Sequence, residues 1–319
     1  MQSVRVFLLF PLIVFVSMLT ACGGGGSSSS NSVTSSDLVV LASNNGLSVT
    51  QVDTTTGTPM GNLASVNMTL DVGSMVRTAQ NLVYVSDIVT GLIYAYSLNT
   101  ATGALTAVPG SPFSNVSGQS TQGLATDPAG KFLYATEPNG NQVAAFAIAS
   151  TGALTEIAGS PFATGMLPVG AAVHPSGKYL YVANVGNSGG ISGFTIDALG
   201  GLSPVPGSPF SVGGQGARRL LFHRNGEFLY TSASGGGGNQ LYGDAIDTMT
   251  GILTPIAGSP SGCAAFPWDW RLIHRRSFSM LPVTAMASSL RLPWTLQLVI
   301  SRLSPAARLR PPLSRRGRQ

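Results

Sequence analysis

GLATDPAGKFLYATEPNGNQVAAFAIASTGALTEIAGSPF, Gly123–Phe162, carries the pattern that decides the fold. Asp127-Pro128-Ala129-Gly130 fits a type I turn, with Pro at the second position and Gly at the fourth. Phe132-Leu133-Tyr134 then opens a strand of aromatic and apolar residues. A polar Asn/Gly turn leads into a second strand ending near Ile148. Thr151-Gly152 reverses the chain, and Gly supplies the positive φ that a bulged hairpin needs. An apolar segment, Leu154 to Ile157, and the Gly159-Ser160-Pro161 loop close the unit. Nothing in it has a sustained helical period.

The unit recurs on both sides. Gly-Ser-Pro returns at Gly110, Gly159, Gly207 and Gly258, with spacings of 49, 48 and 51. The aromatic strand start returns as Leu82-Val83-Tyr84, Phe132-Leu133-Tyr134, Tyr179-Leu180-Tyr181 and Phe228-Leu229-Tyr230. Hairpin glycines stand at Gly103, Gly152, Gly201 with Gly200, and Gly251. Periods of this size mean solenoids, propellers or arrays. Four short strands in about fifty residues is the size of a propeller blade. The in-frame units begin near Leu38, Leu82, Phe132, Tyr179 and Phe228, which predicts an all-β propeller of about five four-stranded blades. The first of them is degenerate.

FLYATEPNGNQVAAFAI, GKYLYVANVGNSGGISGFTID and the LTPIAGSP-type endings make residues 38–261 resemble the lactonase-type seven-bladed β-propeller family. That family is related to the YVTN-repeat propellers and includes a 6-phosphogluconolactonase. Against seven blades, five leave an incomplete ring.

Charge divides the chain. Residues 1–261 hold 7 Lys and Arg against 11 Asp and Glu; residues 262–319 hold 10 Arg and one Asp. The basic stretch begins SGCAAFPWDWRLIHRRSFSM at Ser261, where the repeat should return to Gly-Leu-Ala-x-Asp-Pro and Phe-Leu-Tyr. Codons that take the third base of one residue and the first two of the next restore it. Trp268 with Asp269 forces glycine, and Asp269 with Trp270 forces leucine. Favourable third bases then give GLAVDPSTEFLYVAG, with Asp and Phe in the phase of Asp127 and Phe132. Trp294 with Thr295 forces aspartate, Val299 allows the hairpin glycine, and Pro305 to Arg308 can encode Gly-Ser-Pro. Residues 262–319 therefore read as a frameshifted, disordered tail. Their charge is no evidence of a nucleic-acid partner, and Cys263 is no redox site.

The N-terminus reads as an export signal over residues 1–21. Arg5 is followed by the apolar run Val6 to Met18, too short for a comfortable membrane span. Leu19-Thr20-Ala21-Cys22 resembles a bacterial lipobox, which implies lipid attachment at Cys22. The Gly/Ser-rich stretch over 22–36 is a flexible tether to the propeller repeats at 37–261. The expectation is a lipid-anchored envelope protein. It would sit on the outer membrane or the periplasmic face in a Gram-negative cell, and on the cell surface otherwise.

A propeller site gathers loops from several blades, so single motifs carry little. Gly216-Ala217-Arg218-Arg219-Leu220-Leu221-Phe222-His223 resembles the family segment Gly-Pro-Arg-His-Leu-x-Phe-His. The resemblance implies a site role for Arg218, while Arg219 stands where the first His is expected. The family's Asn-Glu after the next strand is replaced by Ser232-Ala233-Ser234. Arg218, Arg219 and His223 are the candidate site residues, although His223 and His174 also fit the turn position held by Asp127. Asp244 replaces an aromatic seen at Tyr96, Phe146 and Phe194. Gly235 to Gly238 reads as a long flexible turn. No cofactor or metal-ligand cluster is expected. Two functions remain. One is a binding or scaffold propeller for an unidentified small molecule or protein. The other is a sugar-lactone hydrolase of the 6-phosphogluconolactonase type, against which an exported location argues, because phosphorylated sugars are cytoplasmic.

Overall fold

The computed structural model describes residues 15–16, 36–115, 117–186, 189–213, 216–235 and 238–262. The expected disordered tail lies outside these residues, as do the tether up to residue 35 and most of the signal segment. The described residues form five antiparallel sheets. The first holds β1 (Phe15–Val16), β2 (Ser36–Ser43), β3 (Gly46–Asp53) and β4 (Pro59–Asn67). The second holds β5 (Val72–Arg77), β6 (Leu82–Asp87), β7 (Ile93–Leu98) and β8 (Leu105–Ala107). In the third, β9 (Leu124–Thr126), β10 (Phe132–Glu137), β11 (Gln142–Ile148) and β12 (Leu154–Glu156) are joined by β13 (Phe162–Ala163) against β11. The fourth repeats this with β14 (Pro168–Val173), β15 (Tyr179–Asn184), β16 (Gly190–Ile196), β17 (Leu202–Pro204) and β18 (Phe210–Ser211). The fifth has β19 (Gly216–Phe222), β20 (Phe228–Gly235), β21 (Gly238–Ile246), β22 (Leu253–Pro255) and β23 (Ser261–Gly262). The first strands β5, β9, β14 and β19 neighbour one another in chain order and line the inner side. This is a propeller arrangement with the blade boundaries read from the repeat.

The turns form as the sequence predicts. Gly130, Gly177 and Gly226 donate their amides to the carbonyls of Asp127, His174 and His223. The Asp127 carboxylate also accepts from the Lys131 and Phe132 amides at 2.6 and 2.7 Å. The Gly-Ser-Pro loop recurs for a physical reason. Ser111, Ser160, Ser208 and Ser259 each accept on Oγ the amide of the sheet's third strand, at Ala95, Ala145, Gly193 and Gly243. A side chain thus replaces the ladder partner that the chain loses as it leaves the sheet.

Neighbouring sheets are held by the Phe-Leu-Tyr strand. Tyr84, Tyr134 and Tyr181 are fully buried. Each donates its hydroxyl to a hairpin glycine carbonyl of the following sheet: Tyr84 to Gly152 at 2.8 Å, Tyr134 to Gly200 at 3.1 Å and Tyr181 to Gly251 at 2.7 Å. The hairpin residue must be glycine on two grounds. Gly200 has φ +87°, and a Cβ there would lie 2.5 Å from the Phe132 ring. The apolar clusters follow the same plan. Leu82, Tyr84, Ile93 and Val108 of the second sheet pack with Leu133, Ala144 and Phe146 of the third. Tyr179, Tyr181 and Ile191 of the fourth pack with Leu229, Tyr242 and Ile246 of the fifth. The core is a set of slabs between sheets, not one central mass.

The first sheet departs from the pattern. Val40 stands where the other sheets have tyrosine, and β4 pairs with β3 through two register irregularities. Phe15 and Val16, within the segment read as an export signal, pair with Val40 and Val39. The long flexible turn expected at Gly235 to Gly238 is shortened from both sides: β20 and β21 stay paired up to Gly235 opposite Gly238.

Candidate functional site: the arginine cleft

Arg218 and Arg219 lie near the start of β19, on the inner strand of the fifth sheet. The register shifts between Ala217 and Arg219, so Arg218 is an extra residue in a bulge. A bulge lets two consecutive side chains escape strict up-down alternation. Both arginines therefore line one cleft, with Gly73 and Ile88 of the second sheet, Gln122 ahead of the third and Val169 of the fourth. The cleft is small and opens to solvent. Arg218 is half-buried; Arg219 is exposed by surface area although protein crowds its guanidinium. That crowding lowers the pKa of both, and for Arg219 the charge of Arg218 lowers it further. Arginine remains charged through such shifts, its ordinary pKa being above about 12. Arg219 has no hydrogen bond or ion pair among the described residues.

His223 is not brought to this cleft. It sits half-buried in the turn after β19, with Nδ1 2.6 Å from Asn225 Oδ1 and its ring edge-on to Phe228. His174 is a buried turn residue. Its Nδ1 meets Ser176 Oγ and its Nε2 meets the Gly226 carbonyl, each at 2.7 Å, and the second bond ties the fourth sheet to the fifth. Asp244 is 6% exposed on the face that the fifth sheet shares with the fourth, between Tyr242 and Ile246. Burial raises its pKa to about 6. It belongs to sheet packing and not to the cleft.

Glu137, which no sequence motif singles out, is fully buried at the end of β10. Its Oε2 accepts from Ser117 Oγ at 2.7 Å and Gln142 Nε2 at 2.6 Å, while Oε1 has no partner among the described residues. Burial, the largest influence, raises its pKa; the bonds from Ser117 and Gln142 oppose this. The available signal is positional: Asp87, Glu137 and Asn184 end the same strand in three successive sheets. Among the described residues no cluster of three His, Cys, Asp or Glu could hold a metal ion. No helix among them is long and apolar enough to cross a membrane.

The family model described as "Lactonase, 7-bladed beta-propeller" matches residues 34–170 and 82–209. The chain belongs to this lactonase family. No curated protein matches it by sequence. This lactonase-family propeller is similar in structure to a candidate 6-phosphogluconolactonase of Bacteroides uniformis, with TM-score 0.57, 19% identity, and coverage of 72% of this chain and 69% of that one. It is similar to the periplasmic gluconolactonase of Pseudomonas aeruginosa, with TM-score 0.57, 21% identity, and coverage of 71% and 69%. A protein from Lactobacillus plantarum gives TM-score 0.57, 20% identity, and coverage of 69% and 67%. The lactonase-family chain spans about two thirds of the length of these structures, and at such identities the likeness shows the fold.

Proposed function

We propose that this lactonase-family propeller binds the anionic group of a small ligand at the Arg218–Arg219 cleft, displayed from the cell envelope. The observation that carries the reading is the bulge that sets two guanidiniums on one cleft wall, Arg218 half-buried and Arg219 exposed to the mouth, the second with no ion pair among the described residues. Crowding two cations costs free energy that an oxyanion offsets through charge-assisted, bidentate hydrogen bonds. Inner strands from several sheets around an open mouth suit a small polar ligand. Isothermal titration with gluconate and 6-phosphogluconate tests it. Arg219→Ser should weaken binding of the better ligand at least about tenfold, the scale of one charge-assisted bond. Equal affinity in the variant overturns the assignment.

Lactone hydrolysis is the second reading, favoured by family membership. The Pseudomonas neighbour is a periplasmic gluconolactonase, so an exported location no longer weighs against this activity. The cleft lining weighs against it. Among the described residues lining the cleft there is no carboxylate or imidazole to activate water. A spectrophotometric assay with glucono-δ-lactone and its 6-phosphate should therefore find no turnover above background. Turnover in the ordinary range of about 1–10³ s⁻¹ would make the protein an enzyme and the binding reading wrong.

Envelope display rests on Leu19-Thr20-Ala21-Cys22 and the Gly/Ser tether. Lipid at Cys22 would contribute about 0.8 kcal/mol of anchoring per buried CH₂. Cys22→Ser is expected to move the protein from the membrane pellet to the soluble fraction. An unchanged distribution removes lipid anchoring from the proposal.

A further inference from the structure

The strand β20 turns Phe228, Tyr230 and Ser232 to the face away from the fourth sheet. In the second sheet the same positions are Leu82, Tyr84 and Ser86, and all three are engaged by the sheet that follows. Leu82 packs where a Cβ on Gly152 would stand. Tyr84 donates to the Gly152 carbonyl, 68 residues on, and Ser86 Oγ donates to the Gln122 carbonyl at 2.8 Å, 36 residues on. On the fifth sheet Phe228 and Tyr230 are only half-buried, as are Leu241 and Ile256 on the same face. Their counterparts in the fourth sheet, Tyr179, Tyr181, Ile191 and Val205, are at most 3% exposed. The Tyr230 hydroxyl has no hydrogen bond among the described residues. Ser232 is buried and its Oγ is likewise without a partner.

We propose that this face is a docking surface for one further sheet of the same repeat, and that its occupant is the segment after residue 262, read in the alternative frame. Two bond offsets support that occupant. The tyrosine bonds span 68, 66 and 70 residues. Carried to Tyr230, they place the required carbonyl near positions 296–300, where Val299 allows the hairpin glycine in the alternative frame. The serine offset of 36, carried to Ser232, falls at 268, just ahead of the Gly-Leu that Trp268, Asp269 and Trp270 force there. Gln122 holds that place before Gly123-Leu124-Ala125. The offsets and the alternative reading share the repeat period; what no choice of third base supplies is the forced Gly-Leu at Trp268-Asp269-Trp270 and the forced aspartate at Trp294-Thr295, which fall in that phase. The residues from 263 to 319 also exceed the 48 to 51 of one repeat.

Four proteins decide it: the chain as encoded, the chain with its frame restored by one or two bases between codons 261 and 269, and each with Tyr230→Phe. Frame restoration is expected to yield a soluble protein and slow amide exchange across β20 and β21 at least about tenfold. In the restored chain Tyr230→Phe should lower the folding equilibrium constant about tenfold, the scale of one lost hydrogen bond. In the chain as encoded the effect should stay below about twofold, because no bond is lost. The proposal is overturned by a restored chain that is insoluble, that exchanges at the old rate, or in which Tyr230→Phe is silent. A stop codon in the alternative frame before codon 306 overturns it too. So does an encoded chain that dimerises through this face and is dissociated by Tyr230→Phe, since the occupant is then a second copy.

Discussion

Tyr134→Ala is expected to lower stability by about 4 kcal/mol, most of what a domain of this kind has to spare. The side chain is fully buried, and its ring belongs to the slab between the third and fourth sheets. Truncation leaves a cavity between two surfaces that cannot close without shifting a whole sheet. It also leaves the Gly200 carbonyl without the hydroxyl that meets it at 3.1 Å. Tyr134→Phe keeps the ring and should cost only about 1 kcal/mol, the net worth of one hydrogen bond. Urea unfolding followed by fluorescence measures both. Similar losses for the two variants would mean that the hydroxyl, not the ring, joins the sheets. A loss below about 1 kcal/mol for alanine would show that the tyrosine does not join them at all.

Asp244→Asn is expected to stabilise the protein at neutral pH. Burial moves the Asp244 pKa from 3.8 up to about 6. A carboxyl whose folded pKa lies above its unfolded one favours folding fully below pH ~4. That contribution is lost as pH rises through about 6, where folding must either keep the proton or bury a charge. At about 1.4 kcal/mol per pKa unit, the loss comes to about 3 kcal/mol. The amide cannot ionise, so the variant should match wild type near pH 4 and exceed it by up to that amount at pH 7 and above. Glu137 and Asp247 titrate too, and only the difference between the two stability curves isolates Asp244. Parallel curves from pH 4 to 8 would place its carboxylate in contact with solvent or a cation.

The repeat was legible because it is written in side chains with narrow conformational uses. Gly at positive φ, Pro in a turn and Phe-Leu-Tyr at a strand start each admit few alternatives, and their recurrence gave five sheets and their boundaries. The bonds between sheets were not legible. Tyr84, Tyr134 and Tyr181 donate to backbone carbonyls, which every residue type carries, so only the fold reveals the acceptor. The candidate site divides in the same way. Arg218 and Arg219 stand out in a chain with few charges, but their convergence depends on a bulge that composition does not announce. His223 is four residues beyond Arg219, which in a strand is about 13 Å. An extended strand carries it to the far end of the sheet, where a local motif cannot work as a unit. Glu137 was overlooked because a single acidic residue after a strand looks like a solvated turn.

The tyrosine bonds also give the array a direction. Every donor belongs to one sheet and every acceptor to the next, so the two ends of any open arc are chemically different. Gly57 takes the hairpin-glycine place in the first sheet, at φ +72°, and Tyr230 offers a hydroxyl at the other end. Two arcs can therefore join head to tail but not head to head, much as a filament has unlike ends. A blade lost or gained in the middle leaves this matching intact, because its neighbours still meet as donor and acceptor. Blade number can change by whole units at little chemical cost, whereas an interruption inside a unit strands a hydroxyl that nothing nearby can satisfy.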